Sequence, residues 1–106
     1  MLRFGNLHSK LFAPAGGEAH ETLFDAPNVR IERIVSFDHA SPQGLWYDQP
    51  DDEWVVVIAG HARLEFEEGE RRDLKTGDWM LIPAGMRHRI ERTGAETIWL
   101  AVHVTS

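Results

Sequence analysis

Gly77-Asp-Trp-Met-Leu-Ile-Pro83-Ala-Gly85-Met-Arg-His88-Arg-Ile-Glu-Arg92 is the stretch on which the fold turns. Gly77 permits a tight turn, and the short apolar run after Asp78 has strand character. Pro83 has no backbone N–H to give a ladder, so that strand must end there. Gly85 allows a second turn, and the next strand carries His88. Two strands and two turns in so short a span leave no room for a helix.

The same grammar extends in both directions. Upstream, Glu53-Trp-Val-Val-Val-Ile-Ala59 is the most strand-prone segment, apolar on both faces beyond Glu53, and should lie deep in the structure. Gly60 turns it into a segment where Ala62, Leu64 and Phe66 alternate with His61, Arg63, Glu65 and Glu67, one face toward the core and the other toward water. Glu68-Gly69-Glu70 and Thr76-Gly77-Asp78 supply further turns. Earlier still, Val29, Ile31 and Val35 share one side of a strand with Arg30 and Glu32 opposite. Thr97 to Val104 closes the chain. No 3.6-residue period persists, so closely spaced turns between short strands predict an all-β, antiparallel barrel or jelly roll that hides its own edges. Residues 1–27, with Pro14 and Gly16-Gly17 and no sustained period, read as an irregular N-terminal arm packed on the barrel or on a partner subunit; the barrel is expected over residues 28–106.

Over about its last three quarters the chain resembles the cupins. Gly77, Pro83, Gly85 and His88 match the second cupin motif, G-x5-P-x-G-x2-H-x3-N, with Arg92 in place of the final Asn. Of the first motif, H-x-H-x3-4-E-x6-G, Glu53 and Gly60 are present, while the two histidine positions fall on Tyr47 and Gln49. The resemblance implies a double-stranded β-helix, the cupin barrel, with a site built around Glu53 and His88.

In that family the paired histidines, the glutamate and the later histidine bind a divalent metal. Alternate residues of a strand face one side, so Tyr47 and Gln49 keep the geometry but replace imidazole with a phenol and an amide, weaker ligands for a metal such as zinc. Gln49, Glu53 and His88 form the candidate metal set, for zinc, manganese, nickel or iron. His103 is a further candidate because it shares a face with Trp99 and Ala101, although the pattern leaves open which way that face turns. The alternative is a metal-free cluster in which Tyr47, Gln49, Glu53, His88 and His103 bind a ligand or satisfy one another by hydrogen bonds. A buried carboxylate needs a reason to exist, because its desolvation is costly unless it is paired, and a carboxylate–imidazole pair in a pocket often binds a ligand or moves a proton.

The chain has 106 residues, enough for one hydrophobic core. Its formal net charge of −6, without a basic stripe, argues against nucleic acid as a partner. With no cysteines, disulfides, thiolate metal sites and a Cys nucleophile are excluded. No apolar stretch approaches a membrane span or a leader, so a cytoplasmic protein is expected. His8, His20, His39 and His61 are expected at the surface, Arg87 and Arg89 on the face opposite His88, and Trp54 and Trp46 turned outward, with Trp54 at a subunit interface. Ser36, Ser41 and Ser106 lack a nucleophile-elbow context.

Function divides three ways. A small polar ligand held in the barrel is the first expectation. As an enzyme, the resemblance implies chemistry like that of the sugar-phosphate isomerases of the group, phosphomannose isomerase included, where a metal polarises an oxygen and Glu53 or His88 transfers a proton. As a non-enzyme, the same pocket makes a metabolite-binding module. Iron dioxygenase chemistry ranks last because it calls for more histidines. The resemblance also implies a homodimer.

Overall fold

A computed structural model describes residues 1–105; Ser106 lies outside the described residues. Eight strands form two antiparallel sheets. One sheet holds five, in the order β1 (Glu18–Ala26), β2 (Val29–Ser36), β8 (Thr97–Val104), β3 (Asp52–Ala59) and β6 (Trp79–Ile82). The other holds three, β5 (Arg71–Lys75), β4 (His61–Phe66) and β7 (His88–Thr93). The chain passes between sheets after β3, β5, β6 and β7; the first three crossings fall at turns that the sequence marks, at Gly60, Gly77 and Pro83 to Gly85, and the fourth at Gly94. No helix of the described residues is long and apolar enough to cross a membrane.

Side chains from both sheets meet between them. Val55, Val57, Leu64, Phe66, Ile82 and Trp99 are buried there. In β4 the expected alternation holds, with Ala62, Leu64 and Phe66 buried. β3 is apolar on both faces because its outer face carries Trp54, stacked on Trp79 of neighbouring β6 at a centroid distance of 6.2 Å.

Two strand readings are corrected. Residues 18–26, expected within the irregular arm, form β1, paired with β2 from Glu18↔Ser36 to Ala26↔Val29. Their inward positions include Glu18 and His20, which face a polar cavity, so apolar alternation never develops. In β2 the two faces alternate as read, but Arg30, Glu32 and Ile34 line the cavity while Val29 and Ile31 turn outward. The outward Arg33 is nonetheless buried, at 1% exposure. Its guanidinium donates to the carbonyl of Leu7 at 3.0 Å and meets the Glu21 carboxylate at 2.9 Å. The N-terminal segment is thereby fastened across the outside of the sheet.

Candidate functional site

The register of the five-stranded sheet assembles the site. Glu53 of β3 lies directly opposite His103 of β8, which lies opposite Arg30 of β2. Paired residues share a face, so His103 points inward with Glu53, which settles the direction that the pattern left open. Glu32, two residues beyond Arg30, joins them, while Glu18 and His20 arrive from β1. From the other sheet His88 enters at the start of β7, tied to Tyr47 by a backbone bridge in which Tyr47 N–H donates to the His88 carbonyl at 2.7 Å. Tyr47, Gln49, Glu53, His88 and His103 therefore line a single cavity.

Inside it, imidazoles and carboxylates alternate. His88 Nδ1 donates to the Met86 carbonyl at 2.9 Å, which turns Nε2 toward Glu53 Oε1 at 3.6 Å. Glu53 Oε2 stands 3.9 Å from His103 Nε2, which bonds Glu32 Oε1 at 3.2 Å. Glu32 Oε2 is 3.9 Å from His20 Nδ1, and His20 Nε2 is 3.6 Å from Glu18 Oε1. Glu18 also meets His39 Nε2 at 3.5 Å and accepts a hydrogen bond from Ser36 at 2.7 Å. Except for the His88–Met86, His103–Glu32 and Ser36–Glu18 contacts, these spacings exceed direct hydrogen bonding. The rest of the lining is largely apolar: Ile34, Val55 and Trp99 lie on the same sheet as the charged row, and Leu64 and Ile90 face them from the other sheet.

Charge follows this arrangement. The Glu32 carboxylate holds the His103 imidazole above its ordinary pKa despite burial. The Glu18 and Glu32 carboxylates raise His20 likewise. At His88 burial opposes the charged form, but the Glu53 carboxylate and the Met86 carbonyl outweigh it and raise the pKa. Reciprocally, His103 and His20 hold Glu32 well below the carboxylate range. Glu18 is also lowered: its burial is outweighed by His20 and Ser36. Raised histidines stabilise the fold fully below 6.5, and that contribution fades as pH climbs through their folded pKa values. Lowered carboxylates stabilise fully above 4.5 and lose it as pH falls. Thermal stability should thus peak between 4.5 and 6.5, and Glu32→Gln should flatten the peak. A melting temperature still rising from pH 7 to 9 would contradict this sign. His20 contributes least, because its side chain is 52% exposed and screened by solvent.

The donor set does not fit a metal of the kind the family resemblance implies. Among the described residues no three His, Asp or Glu side chains are grouped to hold a metal ion. His103 does not join Glu53 and His88 as a ligand, because its Nε2 bonds Glu32 Oε1 at 3.2 Å; its Nδ1, 3.6 Å from Asp51 Oδ1, is buried without a hydrogen-bond partner. Gln49 Oε1 is buried without a hydrogen-bond partner, yet with Glu53 and His88 it adds only an amide oxygen.

His39 departs from the surface expectation, whereas His20 meets it. The exposed His20 lines the cavity mouth, and the His39 side chain is 15% exposed against Glu18. Glu18, His20 and Glu32 escape a sequence reading because their strands lack apolar alternation on that face; the i, i+2 pairs Glu18/His20 and Arg30/Glu32 are the signal that was available. Arg87 and Arg89 lie outside the cavity as expected, paired with Glu67 and Glu65 of the β4 side.

An eight-stranded, two-sheet barrel with a polar cavity entered from both sheets defines a double-stranded β-helix protein. A family model described as Cupin domain matches residues 34–103, and the chain belongs to that family. It is 41% identical to a Ralstonia eutropha JMP134 protein whose crystal structure carries the provisional designation mannose-6-phosphate isomerase; the match covers 99% of this chain and 100% of that one, with a TM-score of 0.92. A cupin superfamily protein of Desulfitobacterium hafniense DCB-2 shares the fold at 18% identity and a TM-score of 0.78, over 91% of this chain and 84% of that one. Among curated proteins, the uncharacterized protein YdbB of Bacillus subtilis (strain 168) is 38% identical over 58 residues, 54% of this chain; the match spans half of that protein's length.

Proposed function

We propose that this cupin domain binds a small polar molecule inside its barrel, with Glu53 and His88 as the groups that anchor it and exchange protons with it. The observation that carries this is the Glu53 carboxylate: its side chain is 12% exposed, yet its imidazole neighbours stand at 3.6 and 3.9 Å. A carboxylate desolvated for structure alone would be bonded at short range. Glu53→Gln should therefore change stability by no more than about 1 kcal/mol, since no strong pairing is lost. Urea denaturation decides it, and a loss above about 3 kcal/mol would make Glu53 a structural residue.

The Ralstonia protein's designation favours isomerisation of a sugar as the enzymatic version, with Glu53 and His88 carrying the proton. A non-catalytic metabolite-binding module is the second reading, favoured by the missing histidines at positions 47 and 49. Both versions use the chain's own acid–base groups, and the donor set favours a site that works without a resident metal. A cytoplasmic location belongs to the same reading. We further propose a homodimer through the outer sheet face, where Trp79 and Leu81 are 62% and 57% exposed; apolar residues in one continuous patch mark contact surfaces. Sedimentation velocity should show a dimer that Trp79→Ser weakens at least tenfold, and a monomeric wild type would refute it.

A further inference from the structure

Glu18, His20, Glu32 and His103 form a second polar edge of the cavity, on β1, β2 and β8, away from the His88 side. Within this edge and at its junction with Glu53, three of four carboxylate–imidazole contacts lie at 3.6 to 3.9 Å. Such pairs are too far apart to satisfy each other directly. A hydroxyl group, donor and acceptor at once, can serve both members of such a pair. The orphaned Gln49 Oε1 nearby also lacks a donor. Across the cavity, Leu64 and Ile90 of the other sheet offer an apolar surface suited to the C–H face of a ring.

Size and charge narrow the ligand. The cavity measures about 140 Å³, close to the ~150 Å³ that encloses benzene in an engineered site. A single six-membered ring fits within that space, with the cavity open at the His20 mouth. Arg30 is the one permanently cationic side chain on the lining, it is 43% exposed, and it already faces Glu32 at 3.9 Å. Each imidazole of the row likewise stands beside a carboxylate, so none offers an unopposed positive charge. Phosphate recognition calls for a free guanidinium fork or ammonium, and Glu18, Glu32 and Glu53 already neutralise the cations of the lining.

We infer that Glu18, His20, Glu32 and His103 are the hydroxyl-binding edge of the pocket, and that its ligand is one uncharged polyhydroxylated ring and not a phosphate ester. This rests on the proposed ligand site of Glu53 and His88 and names the ligand class for it. Isothermal titration with D-mannose, D-xylose, myo-inositol and mannose 6-phosphate tests it. At least one neutral probe should bind, at least tenfold more tightly than mannose 6-phosphate, and Glu32→Gln should weaken it at least tenfold while the near-ultraviolet circular dichroism stays unchanged. Tighter binding of the phosphate, silence from every neutral probe, or indifference to Glu32→Gln would overturn the inference. Binding of mannose 6-phosphate abolished by Glu53→Gln and His88→Gln would overturn the ligand class and leave the site itself standing. The urea denaturation of Glu53→Gln tests the site without any ligand.

Discussion

Gly60→Ala should destabilise the domain by about 3 kcal/mol or more. Gly60 turns the chain from β3 in one sheet to β4 in the other, and its φ is +89°. That conformation alone costs an L-residue roughly 1–2 kcal/mol. Space adds the larger share: a Cβ here would stand 2.7 Å from the Glu96 carbonyl oxygen and 2.8 Å from Thr97 Oγ1. Neither neighbour can retreat easily, since Thr97 is fully buried and its hydroxyl donates to the His61 carbonyl at 3.0 Å. Gly44 supplies the control, with φ of +84° and nothing within 4 Å of its would-be Cβ. Gly44→Ala should cost only about 1 kcal/mol, the backbone share. Equal losses for the two variants in urea denaturation would show that crowding at the corner contributes nothing.

Trp99→Ala should remove about 3–5 kcal/mol. The ring is 3% exposed, packed in the core and forming part of the cavity wall. Its Nε1–H donates to Ser36 Oγ at 3.1 Å, and Ser36 in turn donates to Glu18 Oε2 at 2.7 Å. Core packing and the cavity's polar edge thus share one side chain. Trp99→Phe separates the two roles: most of the ring remains, while the buried Ser36 oxygen loses its donor at a cost of about 1–3 kcal/mol. If Trp99→Phe proves as destabilising as Trp99→Ala, the hydrogen bond outweighs the ring and the packing account is wrong. With the fold retained, Trp99→Phe also frees Ser36 to rotate, so it should alter the pH dependence of stability through Glu18.

Much of this was legible in the residues. Gly77, Pro83, Gly85 and His88 act through local backbone rules, a positive φ at each glycine and a proline that ends β6, so their consequence needs no tertiary information. Ala62, Leu64 and Phe66 declare their face by period alone. Glu18 and His20 do not, because a strand whose inner face is polar looks like a loop to any test based on apolar alternation. Arg33 illustrates the same limit from the other side. A charged residue on an outward face reads as solvated, yet the folded-back N-terminal segment buries it.

Legible from the residues alone were the strands from β2 onward and the turns at Gly60, Gly69, Gly77 and Gly85, since those follow from neighbours a few residues away, while the inward direction of Glu53 and His88 came from the cupin resemblance. It took the assembled barrel to bring His103 beside Glu53, to complete the row with Glu18, His20 and Glu32, and to hold His103 Nε2 on Glu32. Those facts depend on register between strands as distant as β2 and β8. Register is set by the packing of the whole barrel, and shifting it by one residue would turn every one of these side chains to the opposite face.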